Sequence, residues 1–140
     1  HDALYAALAL KPGARAWSTD VCVPISRLSD CIEETRSDIE NSSLTATMVG
    51  HVGDGNFHVI FLLDSDRPQD FAEAQQINDR MVTRAIAMDG TCTGEHGVGI
   101  GKQHCLEQEF GHALDTMKDI KRTLDPLNIM NPGKIFALGS

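Results

Sequence analysis

Two periods run along the chain, one of two residues and one near 3.6. Between Trp17 and Pro24, Val21 and Val23 alternate with Asp20 and Cys22, which predicts a strand ending at Pro24. Leu28, Cys31, Ile32, Thr35 and Ile39 then fall on one helical stripe, predicting a helix through about residue 39 with Ser26 as its N-cap. Residues 44–51 and 58–63 are β-rich and flank Gly53-Asp54-Gly55-Asn56, a strong hairpin signal. Phe71, Ala74, Ile77, Met81, Val82, Ala85 and Ile86 mark a long amphipathic helix across 66–88. A glycine-rich segment over 90–101 leads into helical pattern across 103–124, which Asp125-Pro126 ends. A short helix is expected over 3–10, stopped by Pro12-Gly13, and a turn at Asn131-Pro132-Gly133-Lys134 should open a short extended tail.

Strand, helix, hairpin, helix is the order of an α+β fold. The expectation is a ferredoxin-like antiparallel sheet with helices packed on one face, forming a single domain over residues 1–140. At 140 residues the chain is long enough to bury a hydrophobic core.

Composition narrows the function. A net charge of −8 argues against a nucleic-acid surface, which needs clustered Lys and Arg. No run of 18 apolar residues is present, so no membrane span is encoded in this chain. Cys22, Cys31, Cys92 and Cys105 include no Cys-x-x-Cys pair and match no structural zinc spacing, so reduced thiols are expected.

The candidate chemistry lies in His51-Val52-Gly53-Asp54-Gly55-Asn56-Phe57-His58 and in Gly90 to Gly99. A two-residue Asp54-Gly55 turn would set His51 opposite His58, with Cβ atoms roughly 4.5–5.5 Å apart on one face. Two imidazoles at that separation can reach one metal ion, and a three-residue loop with a bulge would spoil the pairing. Glu95 is the natural third ligand, since two histidines and a carboxylate make a three-ligand catalytic zinc site with a position left for water or substrate. His96 is the candidate general base, because a neutral imidazole titrates near working pH. In an extended segment Glu95 and His96 would point apart; Gly94 and Gly97 permit the kink that brings both to one site.

Blander readings stay open beside these. The histidines also fit a cross-strand polar pair, and Glu95-His96 also fits a loop salt bridge or a helix-capping feature. The glycines of 94–101 lack the dinucleotide spacing, and Gln103 after Lys102 lacks the hydroxyl a phosphate loop places on magnesium. His1, His104 and His112 show no partner pattern, and methionines such as Met81, Met88 and Met117 read as helix-core filling.

Four stretches in order carry a resemblance: Thr19-Asp20-Val21-Cys22-Val23-Pro24, the octet 51–58, Gly90 to Lys102, and Leu124-Asp125-Pro126 through Asn131-Pro132-Gly133-Lys134-Ile135-Phe136. Together they resemble the C-terminal domain of the FAD-linked oxidases with a vanillyl-alcohol-oxidase type flavin domain. That family includes D-lactate dehydrogenases, glycolate oxidase subunits and D-2-hydroxyglutarate dehydrogenases, and the wording of 19–24 is most similar to the cytochrome-linked D-lactate branch. The resemblance implies that His51, His58 and Glu95 hold a divalent metal such as zinc and that His96 is the proton-abstracting base. It further implies a small 2-hydroxy-acid substrate oxidised to the 2-keto acid, hydride passing to FAD, and a cytochrome or other electron acceptor. The family's FAD-binding domain is absent from these 140 residues, so the fragment alone is expected to be inactive. The 2-hydroxyglutarate branch has a Lys where this chain has Ser18, which disfavours a long dicarboxylate. A cytoplasmic or peripherally membrane-associated location is expected. The competing readings are a stand-alone metal- or ligand-binding α+β module without redox activity, and a purely structural domain.

Overall fold

The computed structural model describes residue 6 and residues 8–138. These form two compact units, one through Gly94 and one from Glu95 onward. In the first, β1 (Arg15–Ser18) and β2 (Val21–Cys22) precede α1 (Ile25–Glu40), β3 (Thr45–His51), β4 (Asn56–Leu63) and α2 (Pro68–Ala87). The expected helix over 3–10 begins outside the described residues; residues 8–10 are helical.

β4 is the centre of an antiparallel sheet. β3 runs along one side of it, while β1 and β2 share the other side, β1 opposite Ile60 to Leu63 and β2 opposite Asn56 and Phe57. The shared edge breaks at Thr19-Asp20. Beyond β2, an isolated antiparallel bridge joins Cys22 to Thr91. The α+β antiparallel architecture expected from the pattern is the one observed.

Both faces of β4 are covered, so its sequence is apolar almost throughout and all eight residues are buried. Phe57, Val59 and Phe61 point one way. Phe61 stacks on Trp17 with ring centroids 5.9 Å apart, and Trp17 meets Phe71 of α2 at 5.3 Å, so this is the helix side. Each fully buried phenylalanine there is worth about 1.5–3 kcal/mol against exposure. Ile60 and Leu62 point the other way and pack with Leu8, Ala14, Ala16 and Val49. His58 shares that second face, away from α2.

α1 buries Leu28, Cys31 and Thr35, as its stripe predicts. Its start differs from expectation: Ser26 lies inside the first turn, and Pro24, with φ −51°, occupies the cap position without a side-chain cap bond. The Pro24 carbonyl accepts from the Arg27 amide at 2.8 Å, which satisfies one of the free first-turn N–H groups without a hydroxyl cap. α1 and α2 are clasped by Arg84, whose Nε donates to Glu34 at 2.7 Å, Nη2 to Asp38 at 2.7 Å and Nη1 to the Thr35 hydroxyl at 2.9 Å.

The second unit contains α3 (Gln103–Phe110) and α4 (Ala113–Leu124), joined through Gly111 at φ +50°. Its tail makes the expected turn but no strand. Ile135 is held at φ +69°, with its amide donating to the Gly99 carbonyl at 2.7 Å, and a β-branched residue in that region cannot continue an extended run.

Candidate metal and catalytic site

His51 and His58 are not directly opposed. A 3-10 turn over Val52–Asp54 and a left-handed Gly55 make the connection four residues long, so His51 pairs with Asn56, and Val49 pairs with His58. The two-residue turn is ruled out because Gly55 closes against β2: a Cβ there would sit 2.0 Å from the Val23 carbonyl oxygen, whose residue's amide donates back to Gly55 at 3.0 Å. The slip is two residues, and side chains alternate with period two, so both histidines keep the same face. Their rings meet edge to face, centroids 6.3 Å apart.

His58 is buried, and its Nδ1 lies 2.9 Å from the Thr19 carbonyl oxygen. A carbonyl only accepts, so Nδ1 carries the proton and the lone pair is on Nε2, the arrangement that a second-sphere carbonyl imposes on metal-ligating histidines. Thr19 is itself pinned, its hydroxyl accepting from the Val59 amide at 2.8 Å.

Asp20, 1% exposed, organises the rest. Its Oδ1 accepts from Asn56 Nδ2 at 2.8 Å and lies 3.7 Å from His58 Nδ1. Its Oδ2 accepts from the Thr93 hydroxyl and the Gly94 amide, each at 2.9 Å. Gly94 must be glycine, since a Cβ would fall 1.9 Å from Asn56 Nδ2. Asn56 Nδ2 also donates to the Val21 carbonyl at 3.0 Å, which fixes the amide's orientation and leaves Oδ1 a buried acceptor with no hydrogen-bond partner among the described residues. Such an orphan marks a place where water or a bound group completes the bonding.

Glu95 follows Gly94 by one peptide bond, so the Asp20 anchor fixes where its backbone begins. One ligand atom each from His51, His58 and Glu95 lie within 4.8 Å of one another. His51 is exposed and Glu95 about half exposed, whereas His58 is buried, so the set opens to solvent on the side of the first two. His96 Nε2 lies 3.7 Å from Glu95 Oε1. The chain bends here, with Gly97 at φ +78°, as the kink requires; the same distance also fits a loop salt bridge.

The remaining histidines lie elsewhere. His104 Nε2 is 3.3 Å from the Cys105 thiol, exposed His112 is 3.8 Å from Asp115, and His1 is outside the described residues. The four cysteines are unbridged. Reading the chain as a sequence singled out the ligand candidates and missed Asp20, Thr19 and Asn56 as their supports. The signal was present in a polar Thr-Asp pair interrupting an apolar edge strand.

Residues 1–135 match the family described as FAD linked oxidases, C-terminal domain. The chain is 52% identical to the probable mitochondrial D-lactate dehydrogenase of Danio rerio, a match covering 99% of this chain and 28% of that protein. It is 51% identical to the mitochondrial D-lactate dehydrogenase [cytochrome] of Arabidopsis thaliana, covering 96% of this chain and 24% of the relative. Against glycolate oxidase subunit GlcD of Bacillus subtilis the identity is 35%, over 84% of this chain and 25% of the relative. The chain thus spans only about a quarter of the length of these relatives. With the match running almost end to end, this chain belongs to the FAD-linked oxidase family, as its C-terminal domain.

Proposed function

We propose that this chain is the C-terminal substrate and metal domain of an FAD-dependent D-2-hydroxy-acid dehydrogenase acting on a D-lactate-like substrate. The observation that carries the metal half is the convergence of His51, His58 and Glu95 within 4.8 Å, with the proton of His58 already directed to Thr19. Two imidazoles and a carboxylate suit a divalent ion, zinc above all, with a position left for substrate. The redox half rests on relatives named as D-lactate dehydrogenases and a glycolate oxidase subunit.

A bound ion would supply Lewis-acid polarisation of the substrate hydroxyl and neutralise its carboxylate. FAD, held by the part of the protein outside this chain, would supply the hydride acceptor. His51, His58 and Glu95 hold the ion; Asp20 and Thr19 hold two of those three in place. His96 takes the hydroxyl proton on an imidazole nitrogen, the general-base role that histidine fills most often. The product is the 2-keto acid. A cytochrome-type or other electron acceptor, and a cytoplasmic or peripherally membrane-associated location, complete the proposal. Relatives named "mitochondrial" and "cytochrome" support the acceptor, and no helix among the described residues is long and apolar enough to cross a membrane.

The test uses the full-length protein reconstituted with FAD, mixed anaerobically with D-lactate while flavin absorbance is followed. Bleaching in the parent and a loss of about 10²–10⁴-fold in rate for His96→Ala is the expected result. Unchanged bleaching in His96→Ala would remove the base from the mechanism. No bleaching by any short 2-hydroxy acid would favour a metal- or ligand-binding module without redox activity.

A further inference from the structure

Asn56 adjoins the positions of all three candidate ligands. It pairs with His51 across the hairpin and precedes His58 by two residues in β4, so its side chain shares the face of both imidazoles. Gly94, the residue before Glu95, lies directly against its carboxamide: a Cβ there would fall 2.9 Å from Asn56 Cγ.

The carboxamide is only half used. Nδ2 spends its two hydrogens on Asp20 Oδ1 at 2.8 Å and the Val21 carbonyl at 3.0 Å. Both partners are acceptors, so the amide cannot be turned over without setting oxygen against oxygen. Oδ1 is left as a sealed acceptor with no hydrogen-bond partner among the described residues. The chain's own atoms close it off, so it stays closed whatever the rest of the protein adds. A buried carbonyl oxygen left bare costs about 1–3 kcal/mol. Water is a poor remedy, since it needs a space of about 1.4 Å radius beside the oxygen. A dehydrated divalent ion is smaller and sits at roughly 2.0–2.6 Å from a carbonyl oxygen, inside the span of a hydrogen bond.

We propose that Asn56 Oδ1 is a further oxygen ligand of the ion held by His51, His58 and Glu95. The proposal rests on the metal reading above and changes the character of that site. Three ligands and a water already complete a tetrahedral zinc ion. Carbonyl oxygens suit harder ions such as manganese, which bind N/O sites more weakly than zinc. An added amide oxygen therefore narrows the advantage of zinc over manganese. A purely scaffolding role, in which Asn56 only holds Asp20, would affect both ions alike.

The test is titration of the metal-stripped full-length protein with Zn²⁺ and with Mn²⁺ against a chromophoric chelator. Asn56→Leu is expected to weaken Mn²⁺ about tenfold more than Zn²⁺. Asp20→Asn disturbs the scaffold but leaves the Asn56 oxygen, and should weaken both by a similar factor. Equal losses in Asn56→Leu, or none, would overturn the proposal. A second measurement needs no variant: the Mn²⁺-loaded protein, carrying asparagine labelled with ¹³C at the side-chain carbonyl, is examined by electron–nuclear double resonance. An isotropic ¹³C coupling, which requires a bond through the oxygen, is the expected result, and its absence would overturn the proposal. Failure of the parent to bind either ion would instead remove the metal reading itself, and this proposal with it.

Discussion

The amide of Gly94 donates to Asp20 Oδ2 at 2.9 Å, tying the loop that leads into Glu95 to the buried carboxylate at the break between β1 and β2. Through its other oxygen Asp20 also holds Asn56, the residue opposite His51 in the hairpin. One side chain therefore sets both the hairpin end that carries His51 and the start of the segment that carries Glu95. Asp20→Asn replaces an acceptor by a donor where an amide and hydroxyl already donate. We expect it to cost about 1.5–3 kcal/mol of stability and, in a zinc titration of the still-folded protein, to weaken binding about 10- to 100-fold. Unchanged zinc affinity would show that Asp20 supports the fold alone.

Gly55 tests the turn itself. Its φ of +74° disfavours any side chain, and a Cβ would lie 2.0 Å from the Val23 carbonyl oxygen. Gly55→Ala is expected to lose at least about 2 kcal/mol in denaturant unfolding. Gly53, where a Cβ would meet nothing within 4 Å, is the matched control, and Gly53→Ala should change stability little.

That turn also shows what the sequence could and could not reveal. The apolar, β-rich run of β4 and the helical stripes of α1 and α2 were legible because burial imposes itself on residue type. The hairpin register was not. Asp54-Gly55 reads as a tight two-residue turn by local preference, yet the contact of Gly55 with Val23, 32 positions away in the chain, selects a four-residue connection instead. The two histidines still share a face because the slip is even. The support from Thr19 and Asp20 was invisible for the same reason, since hydrogen bonds spanning 39 and 74 positions leave no local pattern.

Arg84 makes a pH-dependent contribution to stability. Burial works to raise the Asp38 carboxyl, but hydrogen bonds from Arg84 and Arg80, with their charges, outweigh it and hold the group below the usual carboxylate range. The folded value is lower than the unfolded one. The stabilisation is therefore complete above the ordinary aspartate value of about 3.9 and is lost as pH falls through the folded value. Arg84→Met should lower stability at neutral pH by about 1–3 kcal/mol and flatten the acid side of the stability–pH curve. A curve parallel to the parent's would contradict the clasp.

The central claim is that His51, His58 and Glu95 hold one divalent ion. The most direct measurement is elemental analysis of the purified chain after zinc loading and desalting, beside the His51→Ala/His58→Ala double variant. The account predicts about one ion per chain, as in a three-ligand zinc site, and loss of that ion in the variant. An ion retained by the variant, or none bound by the parent, would contradict it.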